Sequence, residues 1–332
     1  MIPMSFRRAA AAFVAVAFLA LVPLRAFAQW TQLDLPAMAG WSVPALSHLP
    51  DGRFLYGQGG SIYLQDAWGQ SNVTAFANIP SGTDPSLIAV WNASTAVAGQ
   101  GGSGYSALFS FNPSNTSSTF TSIGTNYNYA GAMGDASSIF TVGASWANTT
   151  NRLVYMTLDG SINKTLIEYI SIYSAGFTRD ASGNLYVGSN DDGKVYKFTS
   201  SQIETAITGS ALTLASGAMV HDFGGGGNLS SLAVDGLGRV WAAGWATNGI
   251  KVFDPNTSQE STFLPGPTNV NYVVSTFSKD GVDYISYLDN AGWNVGDTVS
   301  YGYAAAAAIP EPATLVLAGV GLAAALLLRR RS

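Results

Sequence analysis

Two residues could move a proton near neutral pH, His48 and His221, and they are the only histidines in the chain. Asp222 follows His221, and an imidazole beside a carboxylate is the minimum for a general base. His48 stands three residues before Asp51. Cysteine is absent, which excludes thiolate metal ligation, disulfides and a thiol nucleophile. Two histidines exclude a His-rich metal centre. A hard cation would instead need oxygen ligands. Asp51, Asp135, Asp180, Asp235 and Asp280 are available, but they recur at one position of a repeat. Recurrence marks a turn role, since an active site is normally asymmetric. Asn190-Asp191-Asp192-Gly193 begins like a Ca²⁺ loop and lacks the later ligands and closing Glu, so a hairpin turn explains it better. The run Gly224 to Gly227 lacks the Lys and Ser/Thr of a phosphate-binding loop and reads as an interblade loop. Gly102-Ser103-Gly104 sits in a glycine-rich turn without the strand-to-helix context of a serine nucleophile. Trp41, Trp68, Trp91, Trp146, Trp241, Trp245 and Trp293 can stack on sugar rings or fill a core. The expectation is that no catalytic residue, no metal site and no cofactor site is present, and that both histidines are structural.

The elements that would position these residues form a repeat. Asp135-Ala-Ser-Ser-Ile-Phe-Thr-Val-Gly143 and Asp180-Ala-Ser-Gly-Asn-Leu-Tyr-Val-Gly188 match at five of nine positions, and Asp235-Gly-Leu-Gly-Arg-Val-Trp-Ala-Ala243 follows the same pattern. Weaker copies begin at Asp51, Asn92 and Asp280. The Asp-to-Asp steps from Asp135 to Asp280 are 45, 55 and 45 residues. A period near 45 is the size of one four-stranded propeller blade. Within a copy, an apolar strand such as Ser231 to Val234 leads into an Asp-x-x-Gly turn. A second strand, such as Arg239 to Ala243, follows. The third, such as Ile250 to Phe253 or Leu108 to Phe111, ends at Asp254-Pro255 or Asn112-Pro113. The fourth is Ser261 to Leu264 in one copy and Ser118 to Thr121 in another.

Six copies are predicted, at 41–82, 83–127, 128–171, 172–222, 223–268 and 269–303. The last holds three strands, and Trp30 to Leu35 alternates and supplies the fourth, closing the ring and removing open edges. The extended step is filled by a short helix over 201–208, with Ser201 as cap and Glu204 reaching back. The fold class is therefore all-β: a six-bladed β-propeller over 29–303, closed by an N-terminal strand. A seven-bladed ring is the alternative architecture.

The two ends are targeting segments. Arg7-Arg8, the apolar run Ala9 to Leu24 and the small-x-small site Ala26-Phe27-Ala28 make 1–28 a signal peptide cleaved before Gln29. At the other end, Ala304 to Ala308 reads as an alanine spacer. Ile309-Pro310-Glu311-Pro312 comes next, then the charge-free run Ala313 to Leu328, then Arg329-Arg330-Arg331. As a helix the run spans about 24 Å, and arginines that snorkel bring it to bilayer thickness. It reads as a single transmembrane helix over 313–328 with its arginines on the cytoplasmic side. Without both ends the chain keeps nine basic and nineteen acidic residues, a net charge of −10. That balance argues against nucleic-acid binding, which depends on Lys and Arg at phosphates.

Pro-Glu-Pro, a short apolar helix and a terminal arginine cluster, over 309–332, together resemble the PEP-CTERM sorting signal. The resemblance implies exosortase, a membrane protease-transpeptidase, as a partner that processes the chain near Pro310-Glu311-Pro312. It implies inner-membrane anchoring before that step and a place in the cell envelope or outside the cell after it, alongside exopolysaccharide. The repeat, in period and turn pattern, resembles six-bladed NHL-like or lyase-like propellers. The functional expectation is a non-enzymatic module that binds glycan or another surface protein. The alternative is a secreted lyase or hydrolase with a metal in the central channel.

Overall fold

The computed structural model describes residues 30–35, 45–80, 85–100, 105–145, 148–170, 176–189, 192–224, 229–244, 249–265, 271–290 and 299–309. Trp30 to Ala306 form one compact unit. Its strands make six antiparallel sheets of four.

Blade 1 holds β2 (Ala45–His48), β3 (Phe54–Gln58), β4 (Ser61–Gln65) and β5 (Val73–Ala75). Blade 2 holds β6 (Pro85–Val90), β7 (Ala96–Gln100), β8 (Tyr105–Phe111) and β9 (Thr121–Tyr127). Blade 3 holds β10 (Ala130–Asp135), β11 (Ser138–Ser145), β12 (Asn148–Thr157) and β13 (Asn163–Ile167). Blade 4 holds β14 (Phe177–Arg179), β15 (Leu185–Gly188), β16 (Lys194–Phe198) and β17 (Ala218–Asp222), with helix α1 (Ser200–Thr208) between the last two. Blade 5 holds β18 (Ser231–Val234), β19 (Val240–Ala243), β20 (Gly249–Asp254) and β21 (Gln259–Pro265). Blade 6 holds β22 (Asn271–Lys279), β23 (Val282–Asn290) and β24 (Val299–Ala305), and is completed by β1 (Thr31–Leu35). The expected N-terminal closure is therefore present, with Thr31 opposite Tyr303 and Leu35 opposite Val299.

Burial follows from this stacking. A strand near the axis is covered on both faces by neighbouring blades, so it reads as a continuous apolar run. All four residues of β18 and of β19 are buried. The apolar clusters lie between consecutive blades. Leu55, Ile62 and Leu64 meet Ile88 and Phe111, and Val142 and Leu153 meet Phe177 and Leu185.

The recurrent Asp residues do what their repetition predicted. The Oδ1 of Asp51, Asp135, Asp180 and Asp235 accepts from the amide of Arg53, Ser137, Ser182 and Leu237, each two residues on. Asn92 serves identically for Ser94. Such a local carboxylate or amide cap replaces a backbone turn bond. The sixth copy departs. Asp280 and Gly281 both have positive φ, and Lys279 pairs directly with Val282. This two-residue hairpin leaves no downstream amide for Asp280 to cap.

Three sequence expectations are corrected. The fourth strand of blade 2 starts at Thr121, three residues after Ser118. Ser118 Oγ instead accepts from Asn112 N and holds the preceding turn, while Phe120 packs on Phe111 and Phe76. The helix cap is Thr199, with Gln202 reaching back to its amide at 2.8 Å, so the capping box lies two residues before Ser201 and Glu204. The alanine run is not a spacer throughout. Ala304 and Ala305 extend β24 opposite Ile285 and Tyr284, and Ala304 and Ala306 are buried. Pairing with β23 alone carries β24 past Tyr303, where the pairing with β1 ends. Among the described residues no helix is long and apolar enough to cross a membrane, and the run 313–328 lies outside them.

Candidate functional site

The first strands of the six blades surround a central cavity of about 400 Å³. Its wall includes Ser47, Ser86, Thr178, Ser231, Ser275 and Thr276, set among small residues such as Ala45, Ala89, Ala130 and Gly131. The hydroxyls of Ser86, Ser231 and Ser275 are already bonded within the protein, to Asn128 O, to the Val274 backbone and to His48 Nδ1. Tyr129, Arg179 and Asp180 are the titratable residues of the wall, the last two at and just past the end of β14. Trp91 lines it as well, just past β6, and is 42% exposed. First strands run in one sense around the ring, so Trp91, Arg179 and Asp180 share the face that carries the Asp turns. The inner edge of each first strand also leaves backbone donors and acceptors unpaired by the sheet. The wall thus offers neutral hydrogen-bonding groups, with Arg179 and Asp180 at one mouth.

Neither histidine lines this cavity. His48 ends β2, is buried, and stacks on Phe277 of β22 with centroids 4.0 Å apart. Its Nε2 lies 2.9 Å from the Tyr301 hydroxyl and 3.2 Å from Ser286 Oγ, and its Nδ1 lies 3.4 Å from Ser275 Oγ. Burial lowers its pKa to about 3. A group so weakly basic is a poor proton acceptor at neutral pH. It serves the seam between the last blade and the first.

His221 lies on β17, and the candidate pairing with Asp222 does not form. Consecutive strand residues point to opposite faces of a sheet. Asp222 Oδ1 accepts from Gly224 N, while His221 Nε2 meets Glu260 Oε2 of β21 at 2.8 Å. Phe253 stacks on the imidazole with centroids 3.9 Å apart, and Lys251 Nζ reaches Glu260 Oε1 at 3.2 Å. His221, Glu260 and Lys251 therefore bridge the outer strands of blades 4 and 5.

Two carboxylates carry more than turn geometry. Asp235 is buried, and its Oδ2 accepts from Arg239 Nε and Trp241 Nε1, both at 2.8 Å. Arg239 is buried too, and its Nη2 donates to the Ala306 carbonyl at 2.7 Å. Sequence reading found Asp235 and missed its partners, although Arg and Trp at the fourth and sixth positions after the Asp set this copy apart from the others. Asp289 on β23 was not singled out at all. Its Oδ1 is buried without a hydrogen bond, and burial raises its pKa to about 6.

Of the tryptophans, Trp241 is fully buried and Trp68 packs on Phe277, Tyr284 and Tyr303. Trp41, Trp146, Trp245 and Trp293 lie outside the described residues, as do Gly102 to Gly104, Asn190, Asp191 and Gly225 to Gly227. Asp192 caps the turn before β16 through Lys194 N, and Gly193 takes φ +75° there. No group of three His, Asp or Glu side chains comes together among the described residues. Of the sorting residues, Ile309 is described, whereas Pro310, Glu311, Pro312, Arg329, Arg330 and Arg331, and the cleavage-site residues Ala26 and Ala28, lie outside.

Residues 308–331 match the PEP-CTERM protein-sorting motif. The chain carries a PEP-CTERM sorting signal. The signal marks an exported protein that exosortase processes for the cell envelope. It covers the C-terminus alone, and no curated protein matches the chain. The propeller resembles solved structures at low identity. A luciferin-regenerating enzyme is 12% identical with a TM-score of 0.60, covering 84% of this chain and 96% of that one. Virginiamycin B lyase from Staphylococcus aureus is 12% identical with a TM-score of 0.54, over 83% and 99%. A chain of a nidogen–laminin complex is 14% identical with a TM-score of 0.53, over 74% and 92%. These likenesses show the propeller fold alone, and the proteins that share it include enzymes and a member of a protein complex.

Proposed function

We propose that the PEP-CTERM propeller acts in the cell envelope or the exopolysaccharide matrix as a non-enzymatic module that binds neutral glycan. The observation that carries this reading is the cavity wall. The hydroxyls of Ser47, Thr178 and Thr276 and the strand-edge peptide groups match the donors and acceptors of sugar hydroxyls, and Trp91 at the rim offers a ring face for stacking. A cavity of about 400 Å³ suits one or two sugar units at a chain end. The two histidines support the same reading, since one is held neutral in a blade seam and the other is tied to Glu260.

The test uses purified residues 29–308 on an array of exopolysaccharide fragments, with and without Ca²⁺. Retention of neutral fragments without Ca²⁺, weakened by Trp91→Ala, is the expected result. Turnover of any fragment, lost in His221→Ala or on chelation, would favour the lyase or hydrolase alternative. No retention at all would leave a protein partner as the reading for the propeller.

A further inference from the structure

The place where the chain leaves the propeller is fixed by strand pairing and by a buried hydrogen bond. In blade 6, β22 and β24 run the same way, so β24 ends on the face that carries the Asp turns. Ala305 there pairs with Tyr284, three residues beyond the Gly281 turn. Ala306 is buried, and Arg239 of blade 5 holds its carbonyl. From that anchor to Pro310 the chain has four residue steps, a reach of at most about 14 Å. An enzyme that cuts near Pro310-Glu311-Pro312 must therefore work within about that reach of Ala306.

Two exposed aliphatic side chains stand at that place, beside the charged residues Lys279, Asp280 and Asp283. Leu237, in the turn of blade 5, is 47% exposed, and Val282, beside the turn of blade 6, is 40% exposed. The two turns adjoin, since a side chain on Gly236 would fall on the Asp283 carboxylate. Exposed aliphatic residues on neighbouring turns at the exit point are what a partner needs in order to hold this face during cutting.

We propose that Leu237 and Val282 form a docking patch for the membrane-embedded processing protease, engaged while the sorting segment is cut. The proposal rests on the sorting reading and adds the surface that the protease holds. The short tether makes the patch and the cut site act together, since binding at one raises the effective concentration of the other.

The experiment is pulse-chase processing in the native host, with precursor and mature bands resolved and Glu311→Ala marking the precursor band. Leu237→Glu/Val282→Glu should slow processing about tenfold, the cost of about 1.4 kcal/mol of docking. Thermal melting of the purified propeller should not change, because both side chains are exposed. Tyr169→Glu and Met219→Glu, at exposed sites in blades 3 and 4, should be processed at the normal rate. Normal processing of the Leu237→Glu/Val282→Glu chain, or equal slowing by Tyr169→Glu and Met219→Glu, would overturn the docking patch and leave the sorting reading intact. A wild-type chain that is never cut would overturn the sorting reading itself.

Discussion

The imidazole Nε2 of His48 and the hydroxyl of Tyr301 lie 2.9 Å apart, and through them the inner strand of the first blade is joined to the third strand of the last. These residues are 253 positions apart in sequence. The bond exists only when the ring is closed, so it reports closure. Phe277 stacks on the imidazole and Phe54 on the Tyr301 ring, which keeps water from the pair.

Acid should open this seam. The folded state holds His48 at a pKa of about 3, well below the ordinary histidine value, because burial disfavours the cation. Its contribution to stability is full above the unfolded pKa near 6.5 and is lost as pH falls toward 3. About 3 kcal/mol should be gone by pH 4. His48→Gln keeps hydrogen-bonding capacity without a titrating ring. Denaturant melts of the two proteins at pH 7.5 and pH 4.5 should show a smaller acid loss in His48→Gln.

Closure also depends on β1. Deleting Trp30 to Leu35 exposes the edge of β24 and removes Leu35 from the core shared with Tyr56 and Leu288. The melting temperature should fall by about 5 °C or more, with self-association of the open edge. A monomeric deletion variant with unchanged melting would mean that the ring does not need the strand.

How far the sequence could be read depends on whether a feature repeats. The Asp turns, the blade period and the N-terminal closing strand were legible because each is local or recurs at a fixed step. The His221–Glu260 pair was not, because it joins residues 39 positions apart in different blades. Asp222, the neighbour in sequence, lies on the other face of the strand. Asp289 was invisible for a related reason. Its carboxylate resembles any strand-end Asp until the neighbouring strands bury it. The alanine run misled because low complexity looks like linker, while Ala304 and Ala305 continue a ladder begun at Val299.

Asp289 should respond to pH in the opposite sense to His48. Its folded pKa is raised to about 6, so the fold favours the protonated acid. That contribution is fully present below the unfolded pKa near 4 and is lost as pH rises through 6. Asp289→Asn mimics the neutral acid. It should stabilise the protein at pH 7.5 by about 1 kcal/mol, a figure reduced for the partial exposure of the site, and should change little at pH 4. Paired melts at the two pH values separate this from the His48 effect, since the two variants flatten the pH profile from opposite sides.

The last prediction concerns the anchor at the chain exit. Arg239 and Asp235 are a buried ion pair, and Trp241 Nε1 and two backbone amides complete the acceptor side of the carboxylate. Removing one member of such a pair leaves a buried charge without its counter-ion, which costs about 3 kcal/mol or more. Replacing both with neutral groups of similar size removes that penalty. Arg239→Met alone should therefore lower the melting temperature markedly, and Asp235→Asn/Arg239→Met should recover part of the loss. The double variant retains no donor from position 239 to the Ala306 carbonyl, so the recovery should stop short of wild type. Hydrogen exchange at Ala304 to Ala306 distinguishes the two effects. In the double variant these amides should exchange faster while those of β18 and β19 stay protected. If exchange at the exit matches wild type in the double variant, strand pairing alone holds β24 and the Arg239 bond adds nothing to the anchor.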